Sequence, residues 1–147
     1  MAVTAEYSSE TWAEFFEPTF NEFPELRDQL VKEFITYKQT GSPSDLLGRD
    51  APFDFPTFAS DANVHHIHLN LRYERTWTER QANFHRTSNH YLVYTEHMWD
   101  SGRYLLMGVV TPAHQQIPGN KKQLLDDFFG SFQQFLSHVN TIIIVYD

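Results

Sequence analysis

Cysteine is absent from this 147-residue chain, which excludes disulfides, thiolate nucleophiles and cysteine-ligated zinc and fits a reducing compartment. Long apolar runs are missing too: stretches such as 142–145 fall far short of the roughly 20 residues that a membrane-spanning helix needs. The first residues, Met-Ala-Val-Thr-Ala-Glu, have neither the basic start nor the apolar run of a signal peptide. A cytoplasmic protein with no membrane attachment is therefore expected. Positive charge is also scarce, 11 basic against 19 acidic residues, so the net charge of −8 argues at first against a nucleic-acid partner.

The distribution of charge reverses that impression. Residues 1–33 hold eight acids (Glu6, Glu10, Glu14, Glu17, Glu22, Glu25, Asp28 and Glu33) against Arg27 and Lys32, a net of −6. Residues 64–122 hold seven bases against four acids, a net of +3, together with seven of the eight histidines. A local polyanion site on an acidic protein is compatible with such asymmetry. Thirteen Phe and seven Tyr supply a core without covalent staples, and the length suits a single domain over 1–147.

Taken in order, residues 1–40 read as a short strand at 3–7 and two helices. Ser8 or Ser9 is expected to cap the first helix, with Trp12, Phe15, Phe16 and Phe20 on its apolar side and Pro18 bending or splitting it. Pro24 should open the second, where Leu26, Leu30, Val31, Phe34 and Ile35 recur at helical spacing and Gly41 ends it. Residues 41–63 read as a long ordered loop, because three prolines between 41 and 58 oppose regular structure. Residues 64–118 read as antiparallel sheet with strands at 64–71, 90–96 and 104–111, the last apolar on both faces and so central. Residues 119–147 read as a C-terminal helix and tail, the helix striped with Leu124, Leu125, Phe128, Phe129, Phe132, Phe135, Leu136 and Val139. The fold class expected is α+β, a small twisted, mainly antiparallel sheet with helices packed on one face.

The strand at 64–71, Val-His-His-Ile-His-Leu-Asn-Leu, organises the functional reading. Alternation puts Val64, His66, His68 and Asn70 on one face and His65, Ile67, Leu69 and Leu71 on the other. The first face should be wet, with two imidazoles whose Cβ atoms lie about 6–7 Å apart. The plain alternative is a pair of surface or structural histidines. Zinc would need a third protein ligand that the sequence does not identify, so no metal or cofactor is expected.

Several segments together resemble the YafO-type toxins of bacterial toxin–antitoxin pairs, within the broader RelE-like group of small ribonucleases. They are Phe34-Ile-Thr-Tyr-Lys, Gly48-Arg-Asp-Ala, His66-Ile-His-Leu, Phe84-His-Arg-Thr-Ser, Leu92-Val-Tyr, and the run from Leu105 through Thr111-Pro-Ala-His114. They occur in the family's order between Phe34 and Phe135, whereas residues 1–33 depart from it. The resemblance implies a RelE-like fold, ribosome-associated cleavage of mRNA, and neutralisation by a cognate antitoxin.

Metal-independent RNA cleavage requires a base for the 2′-OH proton, cations for the crowded phosphorane, and an acid for the leaving 5′-oxygen. His66, His68 and His114 can fill the proton roles, Arg86 the phosphate clamp, and Tyr94 a stacking or hydroxyl role on the face it shares with His90. Candidate RNA contacts are Arg49, Arg72, Arg75, Trp77, Arg80, Ser88 and His90, in which cations and an aromatic interleave. Each has a plainer reading: Arg86 as a surface arginine, Tyr94 as core, Arg49 as the partner of Asp50 or Asp54, the basic loop as solvated. Two other functions remain open at this point, a non-enzymatic toxin on the same fold and a protein-binding module that uses its acidic N-terminal helices.

Overall fold

The computed structural model describes residues 2–52, 63–71, 77 and 85–111. Among these, the chain runs β1 (Thr4–Tyr7), a single π-helical turn (Trp12–Phe16), α1 (Glu17–Glu22), α2 (Leu26–Thr40), β2 (Leu47–Pro52), β3 (Val64–Leu69), β4 (Tyr91–Glu96) and β5 (Arg103–Val110). The strands form one sheet in the order β1-β5-β4-β3-β2, with β1 parallel to β5 and every other pairing antiparallel. This is the α+β class expected, with β5 inside the sheet between β1 and β4. The C-terminal helix expected beyond 118 lies outside the described residues.

The N-terminal helical region differs from expectation in how it starts. The N-cap position falls on Thr11, not on Ser8 or Ser9, and the Thr11 hydroxyl donates to the Met107 carbonyl and ties the segment to β5. Pro18 splits the region by falling in the first turn of α1, where its missing N–H is no loss. Pro24 stands two residues before α2, and Gly41 closes that helix in the left-handed region at φ 77°, its N–H donating to the Tyr37 carbonyl at 2.7 Å. Tyr7, Trp12, Phe16 and Phe20 pack ring on ring, with centroids 4.8 to 5.6 Å apart, and the Arg27 guanidinium lies 4.9 Å over Trp12.

The core sits between the helices and one sheet face: Phe16, Phe20, Leu26, Leu30 and Phe34 against Leu47, Ile67, Leu69, Leu92, Tyr94, Leu106 and Val109. Alternation explains the choice, since Ile67 and Leu69 of β3, Leu92 and Tyr94 of β4, and Leu47 of β2 project to the same side. Two register shifts shape the sheet. On β5 the extra residue is Met107, opposite the Val93–Tyr94 step. On β2, Gly48 and Arg49 together oppose the single residue His68, between the pairs Leu47–Leu69 and Asp50–Ile67.

Strand β2 corrects the expectation of an irregular loop across 41–58. Pro52 is its last residue and β2 is the outermost strand of the described sheet, a position where a missing backbone donor breaks no ladder. The face expected to be wet is also mostly closed: Val64 is fully buried, Asn70 and His68 nearly so, and Val93, Thr95 and Met107 are buried as well. Only His66 keeps a partly exposed side chain among the predicted histidines of that face. Alternation of polarity decides which residues share a face; the side chains of neighbouring strands decide whether water reaches it.

Candidate active site

His66 and His68 stand on β3 with their rings 5.7 Å apart. Tyr91 of β4, paired with His68, lies against both, its ring centroid 4.8 Å from His66 and 4.5 Å from His68. This phenol wedge, and not only the strand spacing, holds the two imidazoles at a fixed angle. His68 is held further by the segment before β4: the Ser88 N–H donates to its Nδ1 at 2.8 Å. Accepting there leaves the proton of a neutral ring on Nε2. The Ser88 carbonyl, 3.1 Å from the same nitrogen, cannot receive a hydrogen bond in that tautomer, and the shorter contact decides. The Ser88 hydroxyl donates to the His90 carbonyl, so Ser88 serves as a brace for His68.

Arg49 supplies the cation. It stands in the β2 bulge opposite His68, and its positive charge acts on both His66 and Tyr91. The His66 imidazole is pushed down to about 4, first by burial, then by the charges of His68 and Arg49, with Asp50 opposing. A ring so tuned is neutral at physiological pH and able to accept a proton. The bulge that places Arg49 is made by Gly48. A Cβ there would collide with the Arg86 carbonyl and lie 2.7 Å from Trp77 Cη2. The same carbonyl accepts the Arg49 N–H at 2.8 Å, so the segment around Arg86 closes the outer edge of β2.

Several predicted site residues therefore have other positions. Tyr94 is the clearest correction. It pairs with His65, not His66, and lies on the helix face, opposite the paired imidazoles. Its ring packs edge-on against Phe34 with centroids 4.9 Å apart, and its hydroxyl donates to Asp50 at 2.9 Å. Burial, reinforced by Asp50, holds that phenol far above its ordinary range. Arg86 is a buried guanidinium that donates to the Ser44 carbonyl at 3.4 Å, and it is the Arg86 backbone that meets the bulge. Trp77 is half-buried against Gly48. His90 Nδ1 lies 2.6 Å from the Thr111 hydroxyl. Asp50 takes Lys38 at 3.2 Å, and Asp54, the other partner expected for Arg49, lies outside the described residues. His114, Arg72, Arg75 and Arg80 lie outside the described residues.

Sequence reasoning missed Tyr91, and also the cluster of Tyr37, Lys38, Asp50 and His65 on the helix face. The alternation of β4 separates Tyr91 from Tyr94, but only the register against β3 says which of them meets His66. Among the described residues no group of three His, Cys, Asp or Glu side chains is placed to hold a metal ion, and no helix is long and apolar enough to cross a membrane.

A sheet backed by helices on one side and bearing paired imidazoles beside an arginine on the other defines a small α+β domain equipped for acid–base work on an anionic group. Comparison with known families sharpens this. Residues 35–137 match the family described as Toxin YafO, type II toxin-antitoxin system. A curated relative, the mRNA interferase toxin YafO of Escherichia coli strain K12, is 29% identical over 102 residues, covering 66% of this chain and 76% of the relative. No solved structure matches the chain. The chain belongs to the YafO family of type II toxins, and such a toxin has an antitoxin as its partner.

Proposed function

We propose that this chain is an endoribonuclease that cleaves mRNA on the ribosome, in the cytoplasm, by metal-independent acid–base chemistry centred on His66, His68 and Arg49. The observation that carries the reading is the pair of imidazoles 5.7 Å apart, with an arginine in the neighbouring strand's bulge, opposite His68, whose charge acts on His66. The mRNA interferase name of the bacterial relative supports the substrate.

In the reaction, His66, already neutral, takes the proton of the ribose 2′-OH as the oxygen attacks phosphorus. Arg49 offsets the charge that builds on the phosphorane oxygens. The bond from phosphorus to the 5′-oxygen breaks, and the leaving oxygen receives a proton from His114 or from Nε2 of His68 in its imidazolium form, whose second proton on Nδ1 the Ser88 carbonyl 3.1 Å away can accept. The products are a 2′,3′-cyclic phosphate and a 5′-hydroxyl. Arg72, Arg75, Trp77, Arg80 and His90 are candidate contacts to the message, Ser88 is turned inward as the brace of His68, and Arg86 braces the bulge from its outer side. Tyr94 has no direct part in this scheme.

The test is induction of the chain in bacteria, with and without its antitoxin, followed by mapping of mRNA 5′ ends. Growth arrest with cuts near codons, absent when a ribosome-free extract is used, is the expected result. Arrest with intact messages would instead assign the chain to non-enzymatic toxins that inhibit a protein target.

A further inference from the structure

Behind the candidate site, on the helix face of the same bulge, lies a second polar cluster that the proposed reaction leaves unused. Asp50, whose side chain is 11% exposed, accepts hydrogen bonds from the Tyr37 hydroxyl at 2.8 Å, the Lys38 ammonium at 3.2 Å and the Tyr94 hydroxyl at 2.9 Å. Lys38 also donates to the Tyr94 oxygen at 2.7 Å and sits between 4.7 and 5.8 Å from the ring centroids of Phe34, Tyr37, Tyr94 and Tyr104. The His65 ring stacks on Tyr94 with its Nδ1 3.8 Å from Asp50. Enclosing an ammonium and a carboxylate is expensive in desolvation, and apolar side chains of similar size often hold a fold as well or better. A cluster of this kind is explained more directly by geometry it imposes.

Its place in the register shows which geometry. Asp50 follows Arg49 directly and is the first residue to rejoin the ladder after the bulge, opposite Ile67, between His66 and His68. Ala51, the next residue, pairs with His66. Three donors from α2 and β4 therefore clamp the one residue that fixes where the bulge ends, and with it the direction of Arg49.

We propose that Asp50, clamped by Tyr37, Lys38 and Tyr94, is a positioning residue that aims Arg49 at His66 and His68 from behind the sheet. The role rests on the reading of the chain as a nuclease. The charged and titratable groups facing Asp50 are Tyr37 and Lys38 from α2, His65 from β3, Tyr94 from β4 and Tyr104 from β5. Asp50 also favours the protonated form of His66, against Arg49 and His68.

The experiment compares cleavage of mRNA on programmed ribosomes by the full chain and by Asp50→Asn, Tyr94→Phe and Leu26→Ala, across pH and below each variant's melting temperature. Leu26 is a core residue at the start of α2, outside the set of side chains that hold Asp50, and controls for general loss of stability. For Asp50→Asn the expected result is a kcat lower by about 10–100-fold with KM little changed, as for a reacting group displaced by about an ångström. The acid limb of its pH profile should move to lower pH. Tyr94→Phe should show a smaller loss of the same kind, and carries the test if Asp50→Asn does not fold. Leu26→Ala should keep the wild-type kcat and profile. Wild-type kcat and an unmoved profile in both site variants, or the same changes in Leu26→Ala, would overturn the positioning role while leaving the nuclease reading intact. An inactive wild type would remove both.

Discussion

Gly48→Ala isolates the feature on which the candidate site depends, the close approach of three segments at the β2 bulge. The new Cβ would meet the Arg86 carbonyl and two atoms of the Trp77 ring, at 2.7 and 3.0 Å, inside the contact distance that carbon atoms tolerate. The ring can turn, but the carbonyl is backbone and accepts the Arg49 N–H at 2.8 Å. Relief therefore requires moving the strand away from that bond. Overpacking of a tight site costs about 1–3 kcal/mol, and a weakened backbone hydrogen bond about 1 kcal/mol more, giving roughly 2–4 kcal/mol in all. For a chain of this size each kcal/mol lowers the melting temperature by about 3 °C. Gly41→Ala is the internal comparison. Nothing lies within 4 Å of its added Cβ, so only the backbone at φ 77° resists, at about 1 kcal/mol. Urea denaturation of both variants at neutral pH should rank Gly48→Ala as clearly the more destabilised. An equal or smaller effect than Gly41→Ala would refute the packing described around the bulge.

His66 should leave a mark on stability as a function of pH. Its imidazole is held at about 4 in the folded chain, below the ordinary value of about 6.5, so between those limits the unfolded chain binds the proton and the folded chain does not. Stability thus falls as pH drops from 6.5 to 4, by about 2 kcal/mol after allowance for partial exposure, and urea midpoints of His66→Gln should lack this component. Phe34→Ala empties a fully buried position packed edge-on against Tyr94 and Tyr104, and should cost about 3–5 kcal/mol in the same measurement. Trp99→Ala, at a hairpin residue 60% exposed, should change the midpoint by no more than about 0.5 kcal/mol.

Much of the architecture was legible in the sequence for physical reasons. The periodicity of α2, its glycine stop, the short first strand and the histidine strand all rest on local rules. Strand β2 was hidden because the prolines at 43, 52 and 56 argue against sheet, and only its place at the edge of the described sheet makes Pro52 harmless. The candidate site was half legible. Alternation within β3 pairs His66 with His68, yet no pattern within β4 says whether Tyr91 or Tyr94 faces them. A shift of one residue in register exchanges the two tyrosines, and register is set by contacts between strands. The Lys38–Asp50 pair was likewise invisible, because it joins a helix end to the strand after it and has no spacing signature. Both residues fall inside the segments that carry the family resemblance, Phe34-Ile-Thr-Tyr-Lys and Gly48-Arg-Asp-Ala, but resemblance alone assigns them no contact.

The proposed reaction places its chemistry on the paired imidazoles. It is tested most directly by single-turnover cleavage of a defined message on programmed ribosomes by the purified chain, His66→Ala and His68→Ala, with the RNA ends characterised. Wild type should produce 2′,3′-cyclic phosphate and 5′-hydroxyl ends, and each substitution should slow cleavage by about 10²–10⁴-fold, the usual contribution of a positioned acid or base. Cleavage by both variants at the wild-type rate, or ends bearing a 5′-phosphate, would contradict the account.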